Sequence, residues 1–371
     1  MHLLIIVETI GGYHAARLAA TDRLFRQNGD RITALQVRAS TSEHPWGSVP
    51  ISFHVVTSPH PEDDWETLLD QLQPDAVAIP GWGFWYSKRA LDWCRSHHKP
   101  ALMFSESKAD DAPRYWMKEL YKKWRFVRHF SSALVGSEAH RSYLESLGMP
   151  RERIFLGYDS VDNDFFEQQT TLLRAQNSLH PELPSRPYWL TVTRMIPRKN
   201  LSFLLDAYAG YRQEIGVDYA WDLALCGSGM EEETLKTKAK KLNIEPFVHF
   251  SGFKTYLEIP KWYAFAQALI HPALQEQWGL VVNEACASGL PILCSDTLGA
   301  KELVMEEVNG LQFNPTSVTS LIQAMTRFHR LSIEQRHQMG LQSRKIIEGY
   351  HPDRFARGLR EAFQSAKHQS G

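Results

Sequence analysis

Short, wholly apolar runs alternate with helix-like segments along most of this chain, and this alternation restricts its fold more than any other feature. The first run, LLIIV at residues 3–7, carries no polar side chain, which is typical of a parallel strand buried on both faces. Strands separated by helices predict βαβ units in a doubly wound, mostly parallel sheet. The other strand candidates lie at 32–37, 51–56, 76–80, 101–105 and 132–137, and then at 188–193, 222–227, 247–252, 268–272 and 291–296.

The alternation breaks once, at residues 167–187, where Pro, Ser and Gln accumulate, and we interpret this stretch as a linker. A chain of 371 residues is also longer than one core ordinarily supports. The sequence therefore predicts two Rossmann-like α/β domains that face a central cleft, where ligands usually bind. The predicted bounds are 1–170 and 185–345, with a C-terminal helix in 346–371 that packs back toward the first domain.

Composition narrows the possible partners. The formal net charge is −1, so no overall electrostatic attraction draws the chain to nucleic acid. No signal peptide is recognisable, and no apolar run approaches the roughly 18 residues that span a bilayer, so we expect a cytoplasmic protein. The four cysteines form no CxxC pair and no metal-ligand spacing, which suits a reducing compartment. They are Cys94, Cys226, Cys286 and Cys294.

The segment HPALQEQWGLVVNEACASGLP, residues 271–291, carries two glutamates in an otherwise apolar context. On one helix, Glu276 and Glu284 would lie about 80° apart and could simply face solvent. Alternatively, Gly279 marks the start of the helix, and Glu276 lies in the loop after a strand. That loop would point into the cleft, and the first amides of the helix would form an anion site. Spacing alone leaves both alternatives open.

The longer segment EQWGLVVNEACASGLPILCSDTLGAKELV resembles the E-x7-E region of retaining glycosyltransferases of family 4, which have the GT-B fold. Three further segments resemble elements of this family in the same order along the chain. The resemblance covers nearly the whole chain, more loosely in the first 130 residues. The three segments are VTRMIPRKNLSFLLDAY, LALCGSGMEEETL and VHFSGF.

The resemblance implies transfer of a hexose-type sugar from a nucleoside diphosphate donor, with UDP as the best guess, to an acceptor hydroxyl. It implies no divalent metal and no cofactor other than the nucleotide sugar. Arg194 and Lys199 would neutralise the leaving diphosphate, and such charge stabilisation usually contributes more to catalysis than any other single effect. Glu276 would bind hydroxyls of the donor sugar, and Glu284 those of the ribose. The backbone positions near the donor would be Gly279 and Leu280 at the phosphate, Gly252 and Phe253 at the base, and Gly227.

The first domain would bind the acceptor, which can be a carbohydrate, a small molecule or a lipid-linked sugar. Gly12, after the first strand, permits close approach of the backbone to a ligand. His14 either reaches the cleft or is an exposed helical histidine. Many family members carry a histidine after the strand equivalent to ALMFS, where this chain has Glu106 between two serines. Glu106 either orients an acceptor hydroxyl as a base or caps the next helix.

Three alternatives remain for the activity. Retention of the configuration at the anomeric carbon would follow from attack by the acceptor on the face from which the phosphate leaves. It would also follow from a two-step path through a covalent intermediate on an enzyme carboxylate. A sugar-nucleotide epimerase of the same architecture would need no acceptor, and a nucleotide-sugar sensor would show no turnover. A dehydrogenase is disfavoured, because Gly11-Gly12 lacks the G-x-G-x-x-G spacing.

Residues 114–130, RYWMKELYKKWRFVRHF, form an amphipathic pattern of helical period. Such a helix makes a peripheral contact with a membrane, packs its apolar face on the domain, or lines the acceptor site. The apolar face would comprise Trp116, Leu120, Trp124 and Val127, and the basic face Lys118, Lys122, Arg125 and His129.

Overall fold

The computed structural model describes residues 1–38, 50–58, 65–111, 114–176 and 180–367. The chain divides into two compact units. The first unit comprises Met1–Asp162 with Tyr350–Gly371, and the second comprises Asn163–Gly349. The division therefore falls at 162/163, earlier than the predicted end of the first domain at residue 170.

The first unit contains a seven-stranded, wholly parallel sheet in the order β3-β2-β1-β4-β5-β6-β7. All six residues of β1 are buried, as its apolar sequence predicts. The strand candidate at 51–56 begins later than predicted, at Val55. The strands are β1 (His2–Val7), β2 (Arg31–Gln36), β3 (Val55–Thr57), β4 (Ala76–Pro80), β5 (Ala101–Ser105), β6 (Ser132–Val135) and β7 (Ile154–Leu156).

Helices flank this sheet, and the C-terminal helix of the chain is among them. Its Phe363 ring lies 5.6 Å from that of Phe25, and its Ala362 carbonyl accepts a hydrogen bond from Ser132 on β6. The helices of the first unit are α1 (Gly12–Gln27), α2 (Trp65–Leu72), α3 (Trp85–Ser96), α4 (Trp116–Arg125), α5 (Glu138–Ser146) and the C-terminal α13 (Pro352–Lys367), with 3-10 turns at Val127–His129 and Arg151–Arg153.

The second unit contains a six-stranded parallel sheet in the order β10-β9-β8-β11-β12-β13. Its core includes Trp189 on β8, which is fully buried. The prediction of an α/β fold built on two parallel sheets is confirmed. The strands are β8 (Tyr188–Val192), β9 (Asp222–Cys226), β10 (Val248–Gly252), β11 (Ala268–His271), β12 (Ile292–Ser295) and β13 (Gly310–Phe313).

Further α-helices and 3-10 turns complete the second unit. They are α7 (Leu201–Ile215), α8 (Glu232–Lys241), α9 (Ile259–Phe265), α10 (Leu280–Ala287), α11 (Val318–His329) and α12 (Ile333–Ile347), preceded by α6 (Asn163–Ala175), with turns at Pro197–Lys199, Glu245–Phe247, Gly299–Leu303 and Glu348–Tyr350.

The interpretation of residues 167–187 as a linker is wrong for their first half. Residues 163–175 form α6, while 177–179 lie outside the described residues. Phe166 of α6 is fully buried and meets the ring of Tyr263 on α9, and Arg174 donates to the carbonyl of Ala264 at 2.8 Å. The guanidinium thus caps the C-terminal end of α9. Because the residues between Phe166 and Arg174 are mostly polar, the composition of this stretch did not indicate a helix.

Candidate functional site

The strand order of the second sheet reverses between β8 and β11, which are neighbours at its centre. Loops that follow the two strands are tied together, because Leu274 donates its N–H to the Arg198 carbonyl at 3.0 Å and Asn200 donates to the Pro272 carbonyl at 3.2 Å. In open parallel sheets, ligands bind at the carboxyl ends of strands at such a switch point.

Lys199 and Glu276 form an ion pair at this point, one from each of the two loops. Both side chains are largely buried, at 10% and 12% exposure. Burial, together with the positive charges of Arg198 and Arg194, lowers the pKa of the Lys199 ammonium to about 7. The Glu276 carboxylate acts in the opposite direction and favours the charged form. Arg194 is exposed just beyond β8, so a second cation stands beside the pair.

His271, the last residue of β11, lies behind this ion pair. It is 1% exposed, and its Nε2 is 3.4 Å from the Glu276 carboxylate. Burial and the nearby Lys199 charge lower its pKa to about 3, so the ring stays neutral. Neither ring nitrogen makes a hydrogen bond to a described residue. Sequence analysis missed His271, although its place at a strand end was the available signal.

Gly279 joins Glu276 to α10. Its φ of +107° is in a region that favours glycine, and it caps the helix without a side chain. A Cβ there would lie 3.3 Å from Cγ of Glu276 and 3.7 Å from Nε2 of His271. The helix therefore begins at Leu280, and its first N–H groups, which have no acceptor within a helix, are presented beside the Lys199–Glu276 pair.

Glu284, which the resemblance assigns to the ribose hydroxyls, is 2% exposed. One carboxylate oxygen accepts a hydrogen bond of 2.5 Å from the hydroxyl of Tyr263 on α9. The second turn of α10 therefore directs this side chain toward α9. Tyr263 is a second residue that sequence analysis missed.

Gly227 packs against the loop that carries Arg194. A Cβ at Gly227 would lie 1.8 Å from the Thr193 carbonyl oxygen, and one at Gly229 would lie 2.4 Å from that of Met195. Met195 also donates its N–H to the Ser228 carbonyl at 2.8 Å. The glycine turn thus fixes the backbone on both sides of Arg194.

Gly252 ends β10 and lies next to this glycine turn, since its carbonyl accepts the Gly227 N–H at 2.9 Å. Its φ is +69°, and the chain then turns into Phe253, whose ring is 38% exposed. An exposed aromatic face suits a planar base. Arg194, Gly227 and Gly252 are therefore contiguous along one side of the site.

The first sheet also reverses its order, between β1 and β4, and a cavity of about 120 Å³ lies at that point. His14 and Glu8 line it, and Gly12 is the buried first residue of α1. Arg17 is 3% exposed and was not predicted from the sequence. Its Nε donates a hydrogen bond to the Ser160 carbonyl at 2.8 Å. One terminal nitrogen of the guanidinium has no hydrogen-bond partner among the described residues. The signal was an arginine within the small apolar run AARLAA.

Aromatic side chains form much of the wall of this cavity. Phe84, 45% exposed, stacks on the buried Tyr86 ring at 5.1 Å, and the Tyr86 hydroxyl has no partner among the described residues. Glu106 is half-buried just after β5. Tyr158 lines the cavity, and burial raises the pKa of its hydroxyl. The negative charge of Glu106 raises that pKa further. Glu106 therefore lies near Tyr158, and it does not cap the next helix, whose N-cap is Tyr115.

Two kinds of feature are missing from the described ranges. No group of three or more His, Cys, Asp or Glu side chains there has an arrangement that could hold a metal ion. No helix in those ranges has both the length and the apolar character needed to cross a membrane.

A segment within the second unit matches a known protein family. Residues 177–346, a little under half of the chain, match the family described as glycosyl transferases group 1. The chain is 30% identical over 141 residues to O-antigen chain mannosyltransferase B of Escherichia coli, which covers 38% of this chain and 36% of that protein. It is also 30% identical over 172 residues, 44% of each chain, to a GDP-mannose-dependent phosphatidylinositol monomannoside mannosyltransferase of Mycobacterium tuberculosis. The matched segments span less than half of these relatives.

Solved structures match over the whole chain. Sucrose-phosphate synthase from Thermosynechococcus elongatus has a TM-score of 0.74 at 16% identity, with all of both chains covered. Anabaena Alr3699/HepE in complex with UDP has a TM-score of 0.71 at 17% identity, again with full coverage of both chains. At this identity the likeness concerns the fold, and it confirms the prediction of two Rossmann-like units of the GT-B type.

Proposed function

We propose that this protein is a retaining glycosyltransferase that moves a hexose-type sugar from a nucleoside diphosphate donor to an acceptor hydroxyl. One observation carries the proposal: a buried Lys199–Glu276 pair, with Arg194 beside it, at the switch point of the second sheet. Cations can stabilise the negative charge of a departing diphosphate, and a carboxylate can accept hydrogen bonds from sugar hydroxyls. The match of residues 177–346 to group 1 glycosyl transferases supports the same assignment.

Donor binding would exchange partners within this cluster. The pyrophosphate approaches Lys199, Arg194 and the first amides of α10, and it competes with Glu276 for the ammonium group. Glu276, released from the ion pair, accepts hydrogen bonds from hydroxyls of the donor sugar. Neutral His271, whose Nε2 lies 3.4 Å from the same carboxylate, would then donate a hydrogen bond to it after a small approach. The positive charges then stabilise the diphosphate as the glycosidic bond breaks, without a metal ion.

The nucleoside would lie along the side formed by the glycine turns. Phe253 and the Gly252 backbone receive the base, and Gly227 allows close approach. Glu284 binds the ribose hydroxyls, and the Tyr263 hydroxyl orients its carboxylate from behind, at 2.5 Å. Tyr263 is thus a positioning residue.

Retention is proposed to follow from attack on the face from which the diphosphate leaves, with a phosphate oxygen taking the acceptor proton. The two-step path would require a covalent sugar on a carboxylate, for which Glu276 and Glu106 are the candidates. Mass spectrometry of protein quenched during turnover with a slow, fluorinated donor decides between them, because a glycosylated peptide containing either residue contradicts attack from the same face.

In the first unit, the cavity at the end of β1 is proposed to take the acceptor. The unpartnered nitrogen of Arg17 and the Tyr86 hydroxyl can hydrogen-bond acceptor hydroxyls, and Phe84 offers an aromatic face to a sugar ring. Glu106 and His14 are the groups placed to orient the reacting hydroxyl, and Gly12 permits its approach.

A donor panel tests the function directly. UDP-sugars are the first choice from the family resemblance, whereas the GDP-mannose-dependent relative favours GDP-mannose. The true donor at about 1,000 times its Kd should stabilise the native protein by about 4 kcal/mol, and a thermal-shift assay measures this. Release of diphosphate only with acceptor present supports transfer. An isomerised donor without acceptor indicates an epimerase, and binding without any turnover indicates a sensor.

The pH dependence of donor binding should report Lys199. The diphosphate of a nucleotide sugar stays fully ionised from pH 6 to 9, so among the groups proposed to bind it the Lys199 ammonium, with its pKa of about 7 in the free protein, is the one expected to change charge in this range. Below pH 7 Lys199 is charged and binding is strong; above it the free protein loses the proton and affinity falls, by up to about tenfold per pH unit. Isothermal titration calorimetry at several pH values measures this.

Lys199→Arg is the matched variant, because a guanidinium keeps its charge throughout this range. Its affinity should therefore be nearly independent of pH between 6 and 9, whatever its absolute value. If donor affinity declined equally with rising pH in the variant and in the wild type, the group that titrates would not be Lys199.

A further inference from the structure

Helix α4 presents its apolar side to solvent. No residue of this helix is buried. Trp116 is 74% exposed and Trp124 is 56% exposed. In an ordinary surface helix the apolar stripe faces the core, so this orientation is reversed. The other exposed apolar side chains of the same face are Met117, Leu120 and Tyr121, with Tyr115 just before the helix.

The inner side of α4 is polar instead. Glu119 accepts hydrogen bonds from Lys122 at 2.7 Å and from the hydroxyl of Tyr143 on α5 at 2.8 Å. The same hydroxyl is reached by Lys122 at 3.0 Å and by Arg114 at 2.9 Å. This network fixes the helix to the first unit through its charged residues. Packing of the apolar face on the domain, one of the three sequence alternatives, is therefore wrong for α4; only Val127, in the following turn, is buried.

Basic side chains border the exposed aromatic face. Lys118 lies 5.1 Å from the Tyr115 ring, and Arg128 lies 5.2 Å from that of Trp124. Lys123 is exposed as well. The one acidic residue of the segment 114–130, Glu119, is turned inward. Two copies of this surface would place like charges together, which disfavours self-association.

We propose that α4 docks the first unit on the surface of a bilayer that contains anionic lipid. Indole and phenol rings favour the boundary between headgroups and acyl chains, and the neighbouring lysines and arginines are attracted to negative headgroups. With ten residues the helix is about 15 Å long, so it lies in the plane of the surface and does not cross it. The proposal does not depend on the assigned activity.

Vesicle flotation of the full chain tests this. Wild-type protein should float with vesicles of phosphatidylcholine and about one third phosphatidylglycerol, and weakly with phosphatidylcholine alone. Raising the salt from about 0.1 M to 0.5 M should reduce binding, because screening weakens the electrostatic part. The double variant Trp116→Ser/Trp124→Ser should bind at least about tenfold more weakly, since two interfacial aromatic anchors are lost. Lys118→Glu/Lys123→Glu should lose the preference for anionic vesicles.

The matched control is Tyr219→Ser/Ile333→Ser, which removes two apolar side chains of the second unit that are at least as exposed as the two tryptophans. It should float like the wild type. All variants should keep the wild-type melting temperature, because each replaced side chain is on the surface. The proposal fails if the wild type does not float with anionic vesicles, or if both apolar double variants float equally well. It also fails if sedimentation shows a wild-type dimer that Trp116→Ser/Trp124→Ser abolishes while vesicles remain unbound.

Discussion

Replacing Lys199 with methionine is expected to lower kcat/KM for sugar transfer by about 10²- to 10³-fold. The ammonium group would neutralise the diphosphate as it leaves, and removal of one such charge-stabilising donor costs this much in comparable sites. Initial rates of diphosphate release with the donor found by the thermal-shift panel measure the effect. The loss should appear in kcat as well as in KM, because the charge on the leaving group grows in the transition state.

The same substitution leaves Glu276 buried without its cation, so a folding defect must be separated from a catalytic one. Lys199→Met combined with Glu276→Gln removes both charges and should recover the melting temperature. It should not recover activity. If the double variant regained transfer activity, Lys199 would serve only to neutralise Glu276, and the leaving-group role would be contradicted.

Replacing Gly227 with alanine is expected to reduce the free energy of unfolding of the second unit by about 3 to 4 kcal/mol. The new Cβ would lie 1.8 Å from the Thr193 carbonyl oxygen, and the φ of +143° is unfavourable for any residue with a side chain. Steric displacement and backbone strain each cost a few kcal/mol. Urea denaturation followed by tryptophan fluorescence measures the difference, and donor affinity should fall with it because the Arg194 loop must move.

Gly29→Ala is the matched control, because Gly29 also has a positive φ, +73°, but no atom lies within 4 Å of its added Cβ. It should cost only the backbone strain, about 1 to 2 kcal/mol. If Gly227→Ala reduced the free energy of unfolding by only this amount, the glycine turn would not be in tight steric contact with the Arg194 loop.

Much of the arrangement that we propose as the donor site was predictable, because its parts are local in sequence. Lys199 and Glu276 each follow a strand that the apolar runs identified, and the carboxyl ends of adjacent parallel strands meet at one edge. Gly279 similarly marked the start of α10 through its chemistry alone. By contrast, His271 and Tyr263 acquire their importance from contacts with Glu276 and Glu284, which no spacing along the chain reports.

The errors have a common physical origin. The α6 segment has no continuous apolar stripe, and it is helical because Phe166 and Arg174 find partners on α9. The amphipathic period of α4 was correctly recognised, yet periodicity does not state which face turns inward. That orientation depends on Tyr143, which lies 24 residues from Glu119 along the chain.

Local pattern was thus sufficient for the two parallel sheets, the glycine turns and the residues that follow strand ends, because strand burial and backbone conformation are encoded over a few neighbouring positions. The burial of Glu284 and Arg17 and the outward aromatic face of α4 arose only when distant segments packed together. The burial and charge pairing of these side chains depend on nonlocal contacts, which no local pattern along the chain reports.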